Sequence, residues 1–61
     1  MNILRREEIR EYIKKKKIVS LKDLSQTFTG VSVMTIHRDL DYLAEQGCIA
    51  RIRGGARYLE A

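Results

Sequence analysis

Residues 32–47 read SVMTIHRDLDYLAEQG, and this stretch carries both the start and the end of one helix. Ser32 has the short hydroxyl side chain that a helix N-cap favours, and Gly47 supplies the usual C-terminal stop. The apolar residues between them recur at helical spacing and predict one inward stripe, made of Ile36, Leu40 and Leu43, with Ala44 alongside and Val33 partly included. We therefore predict a helix over about 33–46.

A shorter helix precedes this one. Ser20 is its candidate N-cap, and its apolar stripe is formed by Leu21, Leu24 and Phe28. Thr29 and Gly30 then end it, because glycine tolerates the backbone angles of a tight turn. Two helices joined by a few residues that include a glycine are typical of a helix-turn-helix unit.

The flanking segments complete the unit. A first helix is predicted from residue 2 to about 16, with Asn2 as its N-cap and a stripe of Ile9, Tyr12 and Ile13 that Leu4 or Arg5 extends by one turn. Ile18 and Val19 predict one short strand. Gly54-Gly55 separates two β-prone segments, 48–52 and 56–59, and predicts a hairpin. This order predicts a mainly α fold with a small β-hairpin, a three-helix winged helix-turn-helix.

Length and composition limit the alternatives. The chain has 61 residues, which is room for a single domain spanning 1–61, and 44% of them are hydrophobic, too many for a disordered tail. No apolar run approaches the ~18 residues of a membrane span, and no signal-peptide pattern opens the chain. We therefore expect a soluble, cytoplasmic protein. A single cysteine, Cys48, excludes an internal disulfide and suits a reducing compartment.

The charge balance favours a polyanionic partner. Twelve lysines and arginines against eight acidic residues give a formal net charge of +4. Cations placed at phosphates release condensed counterions, so double-stranded DNA is a natural partner for a basic helix-turn-helix unit. In that motif the second helix enters the major groove by its N-terminal end.

The first turns of the 33–46 helix therefore hold the candidate DNA contacts. We predict that Arg38 bonds guanine and that Val33 and Met34, at the helix tip, touch thymine methyl groups. The predicted phosphate contacts are Ser32, Thr35, His37 and, in the first turn of the preceding helix, Lys22. Asp41 and Glu45 would repel phosphates, so the rear half of the helix should point away from DNA. Alternatively, this is a solvated face, and Met34 contacts a protein partner.

The hairpin is the second candidate contact surface. Arg51, Arg53 and Arg57 bracket its glycines and predict a wing that lays cations on flanking phosphates or in a narrow minor groove. Alternatively, the charges only protect an exposed sheet edge from aggregation. The lysines at 14–17 are candidates for nonspecific contacts with the DNA backbone, but a lysine run at a helix end more often forms a solvated cap.

These segments together resemble the N-terminal domain of DeoR-type bacterial transcriptional regulators. The resemblance rests on VSxxTIHRDL at 31–40, Leu43, EQG at 45–47 and RIRGGA at 51–56. Further matching positions are Arg5 or Arg6, Ile9, Ile13, Val19-Ser20, Asp23-Leu24 and Phe28. The resemblance implies a nucleoid-associated repressor of sugar or nucleoside metabolism that recognises a specific operator. It also implies oligomers formed through a C-terminal effector domain, so these residues are either an excised, monomeric DNA-binding domain or a naturally short protein.

Five positions depart from the family pattern. His37 replaces an arginine and exchanges a permanent charge for one that depends on pH. Thr29 looks like a one-residue insertion in the turn. Val33 and Met34 occupy positions that are often polar or acidic in the family, which suggests an operator that contains thymine. Arg53 stands where the family often has histidine.

The sequence offers little for catalysis. One histidine and one cysteine do not fit a zinc-site spacing, and no phosphate-binding glycine loop or paired nucleophile and base is recognisable. We therefore expect no enzyme activity, no metal and no cofactor. The rival function is a winged helix that binds another protein instead of DNA.

Overall fold

The computed structural model describes residues 3–60 and has the predicted winged helix-turn-helix architecture. Its elements, in chain order, are α1 (Ile3–Lys16), β1 (Ile18–Ser20), α2 (Leu21–Thr27), α3 (Val33–Glu45), β2 (Ile49–Ile52) and β3 (Gly55–Tyr58). The predicted N-cap Asn2 lies outside the described residues. The predicted fold class is confirmed.

The three strands form one antiparallel sheet in the order β1-β3-β2. Ala56 of β3 is paired with Val19 of β1 on one side and with Arg51 of β2 on the other. The Tyr58 N–H also donates to the Lys17 carbonyl at 2.8 Å, and the Leu21 N–H donates to the Gly54 carbonyl at 2.8 Å. The sequence predicted the strand and the hairpin separately, and the structure joins them into one sheet.

The core lies between the three helices and one face of this sheet. Its buried side chains come from every element and are Ile9, Ile13, Val19, Leu24, Ile36, Leu40, Leu43, Ile49 and Ala56. Tyr12, Leu21, Phe28, Ala44 and Cys48 pack against them while remaining partly exposed. The predicted helix stripes are therefore the surfaces that bury apolar area.

Two residues at the ends of the predicted stripes are more exposed than buried. Val33 is 52% exposed, because it is the first residue of α3 and lies beyond the core that Ile36 enters one turn later. Leu4 is 72% exposed. Arg5, the alternative that the sequence left open, points toward α3 and binds Asp39.

The predicted serine caps are present at both helices of the helix-turn-helix unit. Ser20 Oγ accepts a hydrogen bond from the Asp23 N–H at 3.0 Å, and Ser32 Oγ accepts one from the Thr35 N–H at 3.2 Å. Each bond satisfies an N–H that the helix itself leaves without a partner. Gly47, just after α3, has φ +80°, the left-handed conformation that glycine adopts most easily.

The hairpin turn differs by one residue from the prediction. Ile52 pairs with Gly55, so the two-residue turn is Arg53-Gly54, and Gly55 already belongs to β3. Gly54 has φ +75° and makes the reversal possible. A Cβ atom on Gly55 would overlap the Val19 carbonyl oxygen and lie 2.9 Å from the Ser20 Cα. The second glycine is therefore required by the close approach of β1.

Candidate nucleic-acid interface

The start of α3 is an exposed surface with both polar and apolar side chains. Met34 is 65% exposed, and Ser32, Val33 and Arg38 are exposed as well. Both large apolar side chains, Val33 and Met34, are more exposed than buried at this end of the helix. They offer a contact for an apolar group such as a thymine methyl, and Arg38 lies one turn behind Met34 with its guanidinium outside the core.

Ser32 and Thr35 are joined by their side chains at this end of the helix. The Ser32 hydroxyl donates to Thr35 Oγ1 at 2.9 Å while it accepts from the Thr35 N–H. One hydroxyl proton lies between the two oxygens, so the pair keeps one hydroxyl proton that it can donate to a phosphate.

The wing lies directly beside α3. Nη2 of Arg51 on β2 is 3.1 Å from Nδ1 of His37, and Nη1 forms a salt bridge with the Asp41 carboxylate. His37 and Asp41 are one turn apart on α3 and share a face. Arg51, predicted as a free wing cation, is therefore engaged with α3, and it neutralises one of the two carboxylates that would repel phosphates.

The other two wing arginines occupy different positions. Arg53 is exposed in the turn itself. Arg57 is exposed and is adjacent in sequence to the buried Ala56, so strand alternation places it on the sheet face opposite Ala56 and Arg51. The structure therefore does not bring the three arginines to one face of the ribbon.

Lys22 lies near the wing turn, whereas Lys17 is engaged elsewhere. Leu21, the neighbour of Lys22, donates its N–H to the Gly54 carbonyl, which brings the start of α2 to the hairpin turn. Lys22 itself is exposed. Lys17 forms a salt bridge with Glu60, and this hydrogen bond lowers the pKa of the Glu60 carboxyl. The start of α2 thus places an exposed cation near the hairpin turn.

A buried ion-pair cluster that the sequence did not predict lies behind this surface. The Asp39 carboxylate is fully buried and accepts hydrogen bonds from Arg5 Nε at 2.6 Å, Arg5 Nη2 at 3.1 Å and Arg6 Nε at 2.9 Å. Burial raises the pKa of the Asp39 carboxyl, but the hydrogen bonds from both arginines outweigh it, so its pKa lies below the ordinary value. The hydrogen bond to Asp39 likewise raises the pKa of Arg5.

The cluster continues into Tyr42. The guanidinium carbon of Arg6 lies 4.2 Å from the centre of the Tyr42 ring, a cation–π contact on the surface of α3. The helical spacing contained a signal for Asp39, since it lies three residues after Ile36 and four before Leu43, on the predicted inward stripe. A charged side chain on that stripe needs a partner, and α1 supplies two.

No helix within residues 3–60 is long and apolar enough to cross a membrane. In the same part of the chain, no group of three or more histidine, cysteine, aspartate or glutamate side chains is arranged to hold a metal ion.

Comparison with known proteins gives one family. The sequence pattern of the DeoR-like helix-turn-helix domain matches residues 5–61. The chain is 40% identical over 60 residues to the HTH-type transcriptional regulator IolR of Bacillus subtilis (strain 168), which covers 98% of this chain and 24% of the relative. It is 42% identical over 52 residues to a protein of Escherichia coli O157:H7 described as an aga operon transcriptional repressor, which covers 85% of this chain and 19% of that protein. No solved structure matches the chain.

Proposed function

Because this chain belongs to the family of DeoR-like helix-turn-helix domains, we propose that it binds double-stranded DNA sequence-specifically as the DNA-binding domain of a transcriptional repressor. α3 enters the major groove with its first turns, and the wing lies on the flanking backbone or minor groove. Residues 1–61 act as one such domain in the bacterial cytoplasm, at the nucleoid. The proposed activity is binding, with no catalytic step.

The observation that carries this proposal is the shared surface of α3 and the wing. The 3.1 Å contact between Arg51 and His37 brings β2 beside the first half of α3, while Arg38 and Met34 stay exposed on that helix. A duplex that receives α3 in its major groove therefore meets Arg53 of the turn on its flank.

The side chains have separate roles in this proposal. Arg38 bonds guanine O6 and N7, and Val33 and Met34 contact thymine methyl groups, so these three specify sequence. Ser32, Thr35, His37 and Lys22 hold phosphates, and Arg53 and Arg57 add cations from the wing. The phosphate contacts fix the register of the helix without reading bases.

A salt-dependent titration tests the proposal. The chain is titrated with a duplex selected from a random library and with an unrelated duplex, each at two salt concentrations. We expect affinity to fall steeply with salt for both, because phosphate contacts release counterions. Arg38→Ala should lower the affinity for the selected duplex by roughly tenfold and relax preference at one position.

Lys15→Ala is the matched control, since it removes one exposed cation at the end of α1, outside the proposed surface. It should leave the sequence preference unchanged. The absence of binding to any duplex at low salt would contradict the proposal and favour a protein partner.

We also propose that the 61-residue chain is a monomer that binds one half-site. Four exposed apolar side chains do not form one surface for a dimer. Ile18 and Leu59 line a groove beside β1, while Val33 and Met34 lie at the start of α3. The chain spans about a quarter or less of the length of its two relatives. Analytical ultracentrifugation should give a single monomeric species at micromolar concentration, and a stable dimer would overturn this part.

A further inference from the structure

We propose that Arg51 is a positioning residue, which holds the neutral His37 ring with its proton on Nε2 so that His37 donates a hydrogen bond to a DNA phosphate. This inference rests on the proposed function and deepens it. It assigns Arg51 to the orientation of a contact on α3, in place of a free wing cation. Asp41 is the residue that holds Arg51 there.

The guanidinium of Arg51 lies between two side chains of α3, those of His37 and Asp41. Nη1 of Arg51 bonds Asp41, and Nη2 lies 3.1 Å from His37 Nδ1. His37 and Asp41 project from the same face because four residues separate them on a helix. Arg51 lies on the edge strand β2 and is paired with Ala56 of the central strand β3, which fixes where its side chain starts.

The direction of the hydrogen bond decides where the ring proton sits. A guanidinium carries only donors, so His37 Nδ1 must be the acceptor in this contact. A neutral imidazole with an accepting Nδ1 carries its proton on Nε2. No side chain or backbone group in residues 3–60 bonds Nε2. The free ring nitrogen is thus a donor without a protein partner.

The charges around the ring support a positioning role. The salt bridge with Asp41 satisfies Arg51 from the other side and reduces its net positive charge toward DNA. A phosphate oxygen accepts hydrogen bonds and cannot donate one. His37 can therefore meet a phosphate only through a protonated nitrogen, and Arg51 ensures that Nε2 is that nitrogen in the neutral ring.

The tautomer can be measured without DNA. His37 is the only histidine in the sequence, so two-bond proton–nitrogen spectra of the labelled chain at pH 8 need no assignment between histidines. We expect a protonated Nε2 and an unprotonated Nδ1 in the natural chain. Arg51→Met should produce a mixture of both tautomers, and the matched loss of charge in Arg53→Met should leave the spectrum unchanged.

Asp41→Asn provides a second variant that keeps Arg51 and loosens its anchor. It should move the tautomer ratio in the same direction as Arg51→Met, and less far. A protonated Nδ1 in the natural chain, or an Nε2 tautomer that survives both Arg51→Met and Asp41→Asn, would overturn the proposal.

A double-mutant cycle tests the consequence for binding. His37→Ala should weaken binding to the selected duplex by roughly tenfold in the natural background and by less than about threefold in Arg51→Met. In Arg53→Met the effect of His37→Ala should remain roughly tenfold. Equal effects of His37→Ala in all three backgrounds would overturn the positioning role.

The two proposals fail in different ways. If no form of the chain binds duplex DNA, the proposed function fails, while the tautomer of the free protein remains as measured. If the natural chain binds DNA and the cycle shows no coupling, only the role of Arg51 fails.

Discussion

Arg5 holds Asp39 with two hydrogen bonds, from Nε at 2.6 Å and from Nη2 at 3.1 Å, and so joins the first helix to the helix proposed to read DNA. The side chain of Asp39 is 1% exposed, whereas that of Arg5 is 22% exposed. The ion pair therefore joins a buried carboxylate to a guanidinium group that remains partly exposed to water. α3 is oriented against α1 by this pair as well as by apolar packing.

Removal of the buried charge should destabilise the fold. Asp39→Asn keeps the side-chain shape but removes the buried negative charge to which both Arg5 and Arg6 donate hydrogen bonds. Breaking a buried pair in this way costs about 3 kcal/mol, a large part of the stability of a domain of this size. Urea denaturation followed by circular dichroism should show a much lower midpoint.

Asp41→Asn is the control for this change, since it removes a carboxylate from the same helix at a position where the side chain is 70% exposed. Its denaturation midpoint should stay close to that of the natural chain. A similar loss of stability in both variants would contradict the special role of Asp39.

The same carboxylate makes stability depend on pH. The pKa of Asp39 is lower in the folded chain than the value of about 3.9 expected when unfolded, so the unfolded chain binds the proton more readily in acid. Its contribution is therefore fully present above about pH 4 to 5 and is lost as pH falls through the folded pKa. The urea concentration at the unfolding midpoint, measured from pH 7 to pH 2, should decrease as the pH falls below about 4 to 5.

Other carboxylates titrate in the same range, so the informative quantity is the difference between the natural chain and Asp39→Asn. That difference should shrink as the pH falls below 4. A difference that stays constant across the whole range would mean that folding does not change the pKa of Asp39.

Helical spacing was sufficient to predict the apolar face of α3, because Ile36, Leu40 and Leu43 recur at a period that only a helix brings together. The same spacing placed Asp39 on that face, but its partners lie more than 30 residues away on α1. Periodicity describes one element at a time and carries no information on which distant cation meets a buried carboxylate.

The sheet illustrates the same limit. Gly54-Gly55 predicted a hairpin because neighbouring strands need only a turn, yet the pairing of Val19 with Ala56 spans most of the chain. The contact between Arg51 and His37 likewise depends on how the hairpin docks against α3. Local patterns thus predicted the elements and the exposed residues of α3, whereas the side-chain partners depended on tertiary packing.

The two glycines of the hairpin should respond differently to alanine. Gly55→Ala places a Cβ atom against the backbone of Val19 and Ser20, which would force β1 away from β3 and cost about 3 kcal/mol. A Cβ atom on Gly54 would meet no atom within 4 Å. Gly54→Ala should therefore lower the free energy of unfolding only by the cost of φ +75° for alanine, about 1 kcal/mol. Thermal denaturation should therefore rank the natural chain above Gly54→Ala, and Gly54→Ala above Gly55→Ala. The reverse order of the two variants would contradict the observed contact between β1 and β3.

The exposed apolar tip of α3 should recognise thymine methyl groups. Met34 is 65% exposed beside Val33, and burying one methyl group against it is worth about 0.8 kcal/mol, or roughly fourfold in affinity. Replacing single thymines of the selected duplex by deoxyuridine, which removes only the methyl group, should weaken binding by that factor at one or two positions. The same replacement should have little effect on Met34→Ala, because the contact is already lost. A natural chain that is indifferent to every thymine methyl would show that Val33 and Met34 do not lie against the bases.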